Sequence, residues 1–201
     1  MRKNLTEKIK NISLRERQTI LFSALIAAGI ALILAAVFFL MPREKFSVYT
    51  NPSAGVSIRY PDSWELRDTD LGMPDVVVVF VSPKENELDV FQENVSVIIQ
   101  DLSSDPMTLG QYTKRAVAQI LGVFKDSVEM VESKSVKLAG LPGYKFLYRG
   151  KDPSDPSILK FVHFWTIKND KAYQITYGSL GPSFEKRLGA VNAMVRSFRI
   201  K

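Results

Sequence analysis

The chain contains a single histidine, His163, and no cysteine. Those two counts restrict its chemistry more than any other. Metal-binding histidine needs company from further His, Cys or carboxylate ligands, and here there is no second His and no thiolate. The alternation of a strand places His163 on one face with Leu159, Phe161, Trp165 and Ile167. On that apolar face it reads as a packed histidine held by a hydrogen bond. A Ser–His–Asp triad would have to use His163, yet no serine stands in a Gly-x-Ser-x-Gly elbow. Glu85, Glu87, Asp89 and Glu93 form the main group of carboxylates. Such oxygens suit a hard cation, but the spacing and glycine of an EF-hand loop are missing, and Leu88, Val90 and Phe91 interrupt the run. A solvated loop is expected there. Carboxylates are plentiful enough for a paired-carboxylate hydrolase, but no spacing singles out a pair. Gly-rich phosphate loops are absent. Asn94-Val95-Ser96 is formally a glycosylation sequon at the start of a predicted strand. No catalytic, cofactor-binding or metal-binding residue is assigned.

The elements that would position these residues are legible in the apolar pattern. Val56, Ile58 and Tyr60 alternate with polar neighbours in a half-buried strand over Gly55 to Tyr60. Pro61-Asp62-Ser63 turns the chain, and Trp64 is placed to plug one end of the core. Val76 to Val81 and Val95 to Gln100 read as further strands, the first of them central. Thr108 can cap a helix with Gln111 at the reciprocal capping-box position. Leu109, Tyr112, Ala116, Ile120 and Phe124 trace its buried face. Strands over Val128 to Leu138 and Gly143 to Arg149 follow, joined through Ala139-Gly140-Leu141-Pro142. Gly150 to Ser157, with Asp152-Pro153 and Asp155-Pro156, is expected to be a loop at a sheet edge, because proline donates nothing to a ladder. Ile158 to Ile167 and Ala172 to Tyr177, joined by Lys168-Asn169-Asp170-Lys171, form the clearest hairpin. Pro182 and Ser183 open a last helix whose Phe184, Leu188, Val191 and Val195 share a face, and Ser197 to Ile200 is read as a short tail. Trp64, Phe80, Tyr144, Phe146, Tyr148, Trp165, Tyr173 and Tyr177 are mostly core by alternation. Six or seven strands with two helices predict an α+β domain with helices packed on a mainly antiparallel sheet.

Ahead of this domain, Ile20 to Met41 runs about 22 residues without a charge, a helix of about 33 Å, enough to cross a bilayer core of roughly 30 Å. No side of it is polar. Arg2, Lys3, Lys8, Lys10, Arg15 and Arg17, against Glu7 and Glu16, precede it, so the positive-inside rule places the N-terminus in the cytoplasm. A secretory signal would have a shorter apolar core ending in small residues. This run ends Val37-Phe38-Phe39-Leu40-Met41, which favours an uncleaved anchor. The expected organisation is a cytoplasmic basic tail over residues 1–18, a transmembrane helix over 19–41, a linker over 42–52 and an extracytoplasmic domain over 53–201. Phe46, Val48 and Tyr49 of the linker are expected to dock onto that domain.

The formal charge of the 201 residues is +6, and the tail supplies roughly +4 of it. The high isoelectric point is therefore a topology signal and gives no support to nucleic-acid binding. Without cysteine there are no disulfides, thiolate sites, Cys nucleophiles or lipoprotein-type acylation. The domain must rely on its core, and about 160 residues suffice for one.

The order of segments resembles the PsbP-like domain family, named after the extrinsic subunit of the photosystem II oxygen-evolving complex. Phe46-x-x-Tyr49 precedes Gly55-Val56-x-Ile58-x-Tyr60-Pro61-x-x-Trp64, similar to the family's opening segment. Val78-Val79-Phe80, Ser82-Pro83 and Glu93-Asn94-Val95-Ser96-Val97 follow in the family's order, and Leu109-Gly110 begins the helix. Leu138-Ala139-Gly140 with Tyr144 and Tyr148, then Lys171-Ala172-Tyr173 and Ser197-Phe198, match its later segments. The resemblance covers most of residues 46–200 and is similar above all to membrane-anchored prokaryotic members. It implies an α/β/α sandwich around an antiparallel sheet and a non-enzymatic accessory role. Plant members help retain calcium and chloride for water oxidation, so calcium enters by resemblance only, and no metal site is carried over. A fungal relative of the superfamily binds the Ran GTPase. The expected partners are the lipid bilayer and a membrane protein complex, in the plasma membrane or, in a photosynthetic organism, the thylakoid. The alternative is an extracytoplasmic hydrolase or small-ligand carrier with a cleft on the sheet, which a deep pocket of convergent carboxylates around His163 would favour. A shallow surface with exposed aromatic side chains would favour the binding protein.

Overall fold

The structure is a computed structural model that describes residues 19, 22–23, 25–33, 36, 44–68, 72–87, 89, 91–124, 127–152 and 155–201. The chain divides into two units, Met1–Arg43 and Glu44–Lys201. In the first, the expected basic tail over 1–18 and the end of the apolar run lie outside the described residues. The described positions of the run are helical, and Phe22, Leu25, Ile26, Ile30, Leu32 and Ile33 are each more than half exposed. Among the described residues no helix is long and apolar enough to cross a membrane.

The second unit is built on two antiparallel sheets. Strands β1 (Phe46–Asn51), β2 (Val56–Pro61) and β10 (Arg199–Ile200) form a small sheet in the order β1-β2-β10. Strands β3 (Glu65–Arg67), β4 (Val76–Val81), β5 (Asn94–Asp101), β6 (Val128–Leu138), β7 (Leu141–Asp152), β8 (Asp155–Lys168) and β9 (Lys171–Leu180) form the large one, ordered β3-β4-β5-β9-β8-β7-β6. Helix α1 (Leu109–Phe124) follows β5, and helix α2 (Phe184–Ser197) follows β9.

Strand alternation divides the large sheet into two apolar faces. On one, Val78, Phe80, Val95, Val97, Val162, Phe164, Ile175 and Tyr177 pack with Val56 and Ile58 of β2 and with Phe184, Val191 and Met194 of α2. On the other, Phe146, Tyr148, Trp165 and Ala172 pack with Leu102 and with Tyr112 and Ala116 of α1. Phe164 and Trp165 are sequence neighbours on opposite sides, so the two helices cover opposite faces of one sheet. The capping box forms at α1: Gln111 Oε1 accepts from the Thr108 backbone N–H at 2.9 Å, and Thr108 Oγ1 accepts from the Gln111 N–H at 3.3 Å. In the β8–β9 hairpin, Asn169 and Asp170 both take positive φ, +49° and +52°, the conformation that a two-residue I′ turn requires.

Three differences from the sequence expectation have simple causes. Residues 46–51, read as linker, form β1 and pair along β2 from Phe46–Pro61 to Asn51–Val56. Residues 199–200, read as tail, form β10 on the other edge of β2. The expected edge loop over 150–157 is instead the extension of the interior pair β7–β8, with Lys151 opposite Ile158. Strand β9 stops at Leu180 opposite Leu159, and past it the Gly181 N–H donates to the Ile158 carbonyl, so residues 155–157 lie outside the β8–β9 ladder. A proline is compatible with the open side. The tip of that hairpin, residues 153–154, lies outside the described residues.

Candidate functional site

His163 lies where its strand parity predicts, at the middle of β8 on the α1 face, and is 8% exposed. Its ring stacks on Tyr148 with centroids 5.5 Å apart and planes within 10°, and Tyr148 stacks in turn on Phe161. The neighbouring strand β9 contributes Gln174 and Thr176, whose Nε2 and Oγ1 lie 3.1 and 3.0 Å from His163 Nδ1. The Tyr148 hydroxyl is 3.2 Å from Nε2. An amide nitrogen only donates, so Nδ1 is the bare nitrogen and Nε2–H donates to the phenol oxygen. Burial pulls the imidazole down to about 4 and pushes the Tyr148 phenol above its ordinary range. The ring is thus neutral and its hydrogen bonds are closed within the sheet. Among the described residues no carboxylate hydrogen-bonds to it. The arrangement holds a polar group inside an apolar layer; a base ready for substrate would need access and an orienting acid. The sequence placed the ring correctly but foresaw one hydrogen bond where there are three polar partners.

The acidic segment between β4 and β5 is tied down to α2. Lys186 donates to Glu85 at 2.8 Å, and Asp89 accepts the backbone N–H groups of Glu85 and Phe91. Glu93, expected in a solvated loop, is only 2% exposed: the Ser82 hydroxyl donates to it at 2.8 Å, and Arg187 Nε lies 4.0 Å away. These partners come from β4's end and from α2, which explains why the local sequence did not reveal them. Leu88 and Val90 lie outside the described residues. Among the described residues no group of three or more His, Cys, Asp or Glu side chains gathers to hold a metal ion. Asn94-Val95-Ser96 sits in β5 between β4 and β9, with Val95 fully buried.

Open surface is found elsewhere. Where β6, β7 and β8 run past the end of β9, a cavity of ≈ 480 Å³ is lined by Ser127, Val128, Glu129, Arg149, Gly150, Lys151 and Ile158. A second, of ≈ 540 Å³, shares Glu129, Arg149 and Ile158 and adds Val131, Lys160, Gly181 and Pro182. Ile158 is 43% exposed, and Val131 of the edge strand β6 is 48% exposed. Arg149 is bound to Glu129 and Lys160 to Glu185, so this corner sets ion pairs beside the exposed Ile158. A third cavity, ≈ 430 Å³, lies over β3, β4 and β5 between Arg67, Met73, Val79 and Ser96. His163 lines none of the three, and none gathers several carboxylates. Among the described residues of the second unit, the exposed large apolar side chains are aliphatic or methionine rather than aromatic. The corner was missed from sequence because three strands and a turn assemble it. The only local trace is the apolar doublet Met130-Val131, which breaks the alternation of β6 where its register with β7 shifts.

The architecture is an α+β sandwich: an antiparallel sheet with a helix on either face, a closed interior and shallow surface cavities. The chain belongs to the PsbP family, whose model matches residues 44–200. Among solved structures, it is similar to cyanobacterial PsbP (CyanoP) from Synechocystis sp. PCC 6803, with 19% identity over 81% of this chain and 96% of that one and a TM-score of 0.58. It also resembles LpqN, involved in cell envelope biogenesis of Mycobacterium tuberculosis, with 10% identity over 81% and 87% of the two chains and a TM-score of 0.54. The Saccharomyces cerevisiae Ran-binding protein Mog1p gives 14% identity, 79% and 96% coverage, and a TM-score of 0.53. At these identities the likeness is one of fold. No curated protein matches the chain in sequence.

Proposed function

We propose that this chain is a membrane-anchored, non-enzymatic accessory protein. Its PsbP domain is held outside the cytoplasm and binds or stabilises a membrane protein complex. The observation that carries the reading is a combination within one chain. A PsbP domain over 44–200 follows an uncharged run whose described positions are helical and expose apolar side chains. An exposed helix of that composition is stable in lipid and unstable in water. The domain supports the binding role through what its titratable groups do: His163 is closed off by its neighbours, and Glu85 and Glu93 serve packing against α2. The family's association with the oxygen-evolving complex makes photosystem II the first complex to test in a photosynthetic host. The same fold occurs in a Ran-binding protein and in a cell-envelope protein, so the fold by itself does not choose the partner.

Because the chain has no cysteine, Ser104→Cys supplies one label site on an exposed loop. In intact cells or right-side-out vesicles, a membrane-impermeant maleimide should label it, and the protein should stay in the membrane fraction through alkaline carbonate. Crosslinking in those membranes should then recover the same protein complex repeatedly. Release by carbonate overturns the anchor; labelling only after lysis overturns the orientation; an absence of any reproducible partner overturns the accessory role.

A further inference from the structure

Strand β6 is the last strand of the large sheet, and among the described residues no backbone group bonds to its outer side. An open edge of 11 residues is a template for pairing with another strand. Natural edges are commonly blocked by charge, and β6 carries four charged residues. Their order is unusual for a simple block: Glu129 and Glu132 precede Ser133, and Lys134 and Lys137 follow it.

That order is self-complementary in one direction only. If a second β6 lies antiparallel with Ser133 opposite Ser133, Glu132 of each copy faces Lys134 of the other. These side chains share a face, because Glu132 lies opposite Leu147 and Lys134 opposite Lys145, alternate residues of β7. Beyond them the register shift near Val131 absorbs one residue. Glu129 of one copy then falls beside Val136 and Lys137 of the other. A parallel copy would set glutamate against glutamate and lysine against lysine, which repel across a sheet. Within one chain Glu132 is already paired to Lys134 and Lys145, so a second copy exchanges ion-pair partners rather than burying unpaired charge. Ser133, Lys134 and Ser135 are exposed, and so are Met130 and Val131, so an approaching strand meets no covering element among the described residues.

We propose that the edge of β6 is a homodimer interface. Two copies of this chain join antiparallel about Ser133 and continue the large sheet across a two-fold axis. The contact is isologous, and closed two-fold symmetry prevents further addition at that edge. The glutamate–lysine order admits a second copy and disfavours strands of other charge pattern, which separates it from a merely protected edge.

Ser133→Cys tests it in the full-length, otherwise cysteine-free chain in native membranes. Under mild oxidation the variant should give a disulfide-linked dimer, while Ser104→Cys stays monomeric. Adding Glu132→Lys, or separately Lys134→Glu, sets like charges together at both contacts and should reduce the crosslink by about tenfold. Co-expressing those two charge variants, each with Ser133→Cys and its own tag, should restore it as a heterodimer, since every contact is again complementary. Recovery also shows that both variants fold. The proposal fails if Ser133→Cys crosslinks no better than Ser104→Cys or if neither single charge change weakens it. It fails equally if the mixed pair is no stronger than each variant with itself; crosslinking to a different protein in place of a second copy would assign the edge to that partner.

Discussion

The middle of the α1 face and the corner where β6 to β8 outrun β9 lie on the same sheet, yet they treat polar groups in opposite ways. Around His163 every polar atom meets another within the fold, and aromatic rings seal the layer. At the corner, Ile158 and Val131 face solvent beside Arg149, Lys151 and Lys160. The first region is built for a single packed state. The second gives up burial and leaves apolar side chains beside solvent. The histidine, the residue with the richest chemistry, belongs to the part that does structural work, and the candidate contact surface contains no residue that would attract notice in a motif search.

Substitutions can break or sharpen this contrast. The largest effect is expected from Trp165→Ala, which empties a fully buried site and removes the indole N–H bond to Thr113 on α1. Chemical denaturation should show a loss of about 3–5 kcal/mol. A variant that lost under about 1 kcal/mol would show that the α1 face is not a tightly packed layer.

Acid comes next. The His163 imidazole titrates near 4 in the fold and near 6.5 in the unfolded chain, so the unfolded chain takes the proton first. Its contribution is complete above pH 6.5 and is lost as the pH falls towards 4, a change of about 3 kcal/mol. Denaturation measured across that window should steepen for the native chain and flatten for His163→Gln. Equal slopes would refute the closed neutral state of the ring.

Gly178→Ala should cost about 1–3 kcal/mol. A Cβ there would lie 2.8 Å from the Phe161 ring, and that ring is held in the stack with Tyr148. At the corner, Ile158→Ser should leave stability within about 0.5 kcal/mol, since the side chain is already 43% exposed. The same variant should weaken crosslinking to the partner complex if the corner contributes to that contact. A large loss of stability there would move the corner into the packed class.

What the sequence made legible were the features set by local physics. The Asn169-Asp170 turn, the Thr108–Gln111 capping box and the alternation that aims His163 at the α1 face each need only a few adjacent residues. Features chosen by distant partners were missed. Strands β3 and β10, of three and two residues, carry no period of their own and exist because β4 and β2 offer them edges. Glu93 looks like a loop carboxylate until α2 brings Arg187 beside it. The corner depends on β9 ending earlier than β8, which no single segment encodes.

The pairing of β10 with β2 sets a condition on the order of synthesis. The Arg59 N–H donates to Ser197 Oγ across 138 positions of chain, and Lys201 N–H donates to the Gly55 carbonyl. The small sheet therefore cannot close until residues 197–201 have left the ribosome. Contacts of such long range form late, and the apolar face of β2 waits uncovered while the rest of the domain is made. Strand β10 is thus the latch of the small sheet, set only after β1 to β9 have been made.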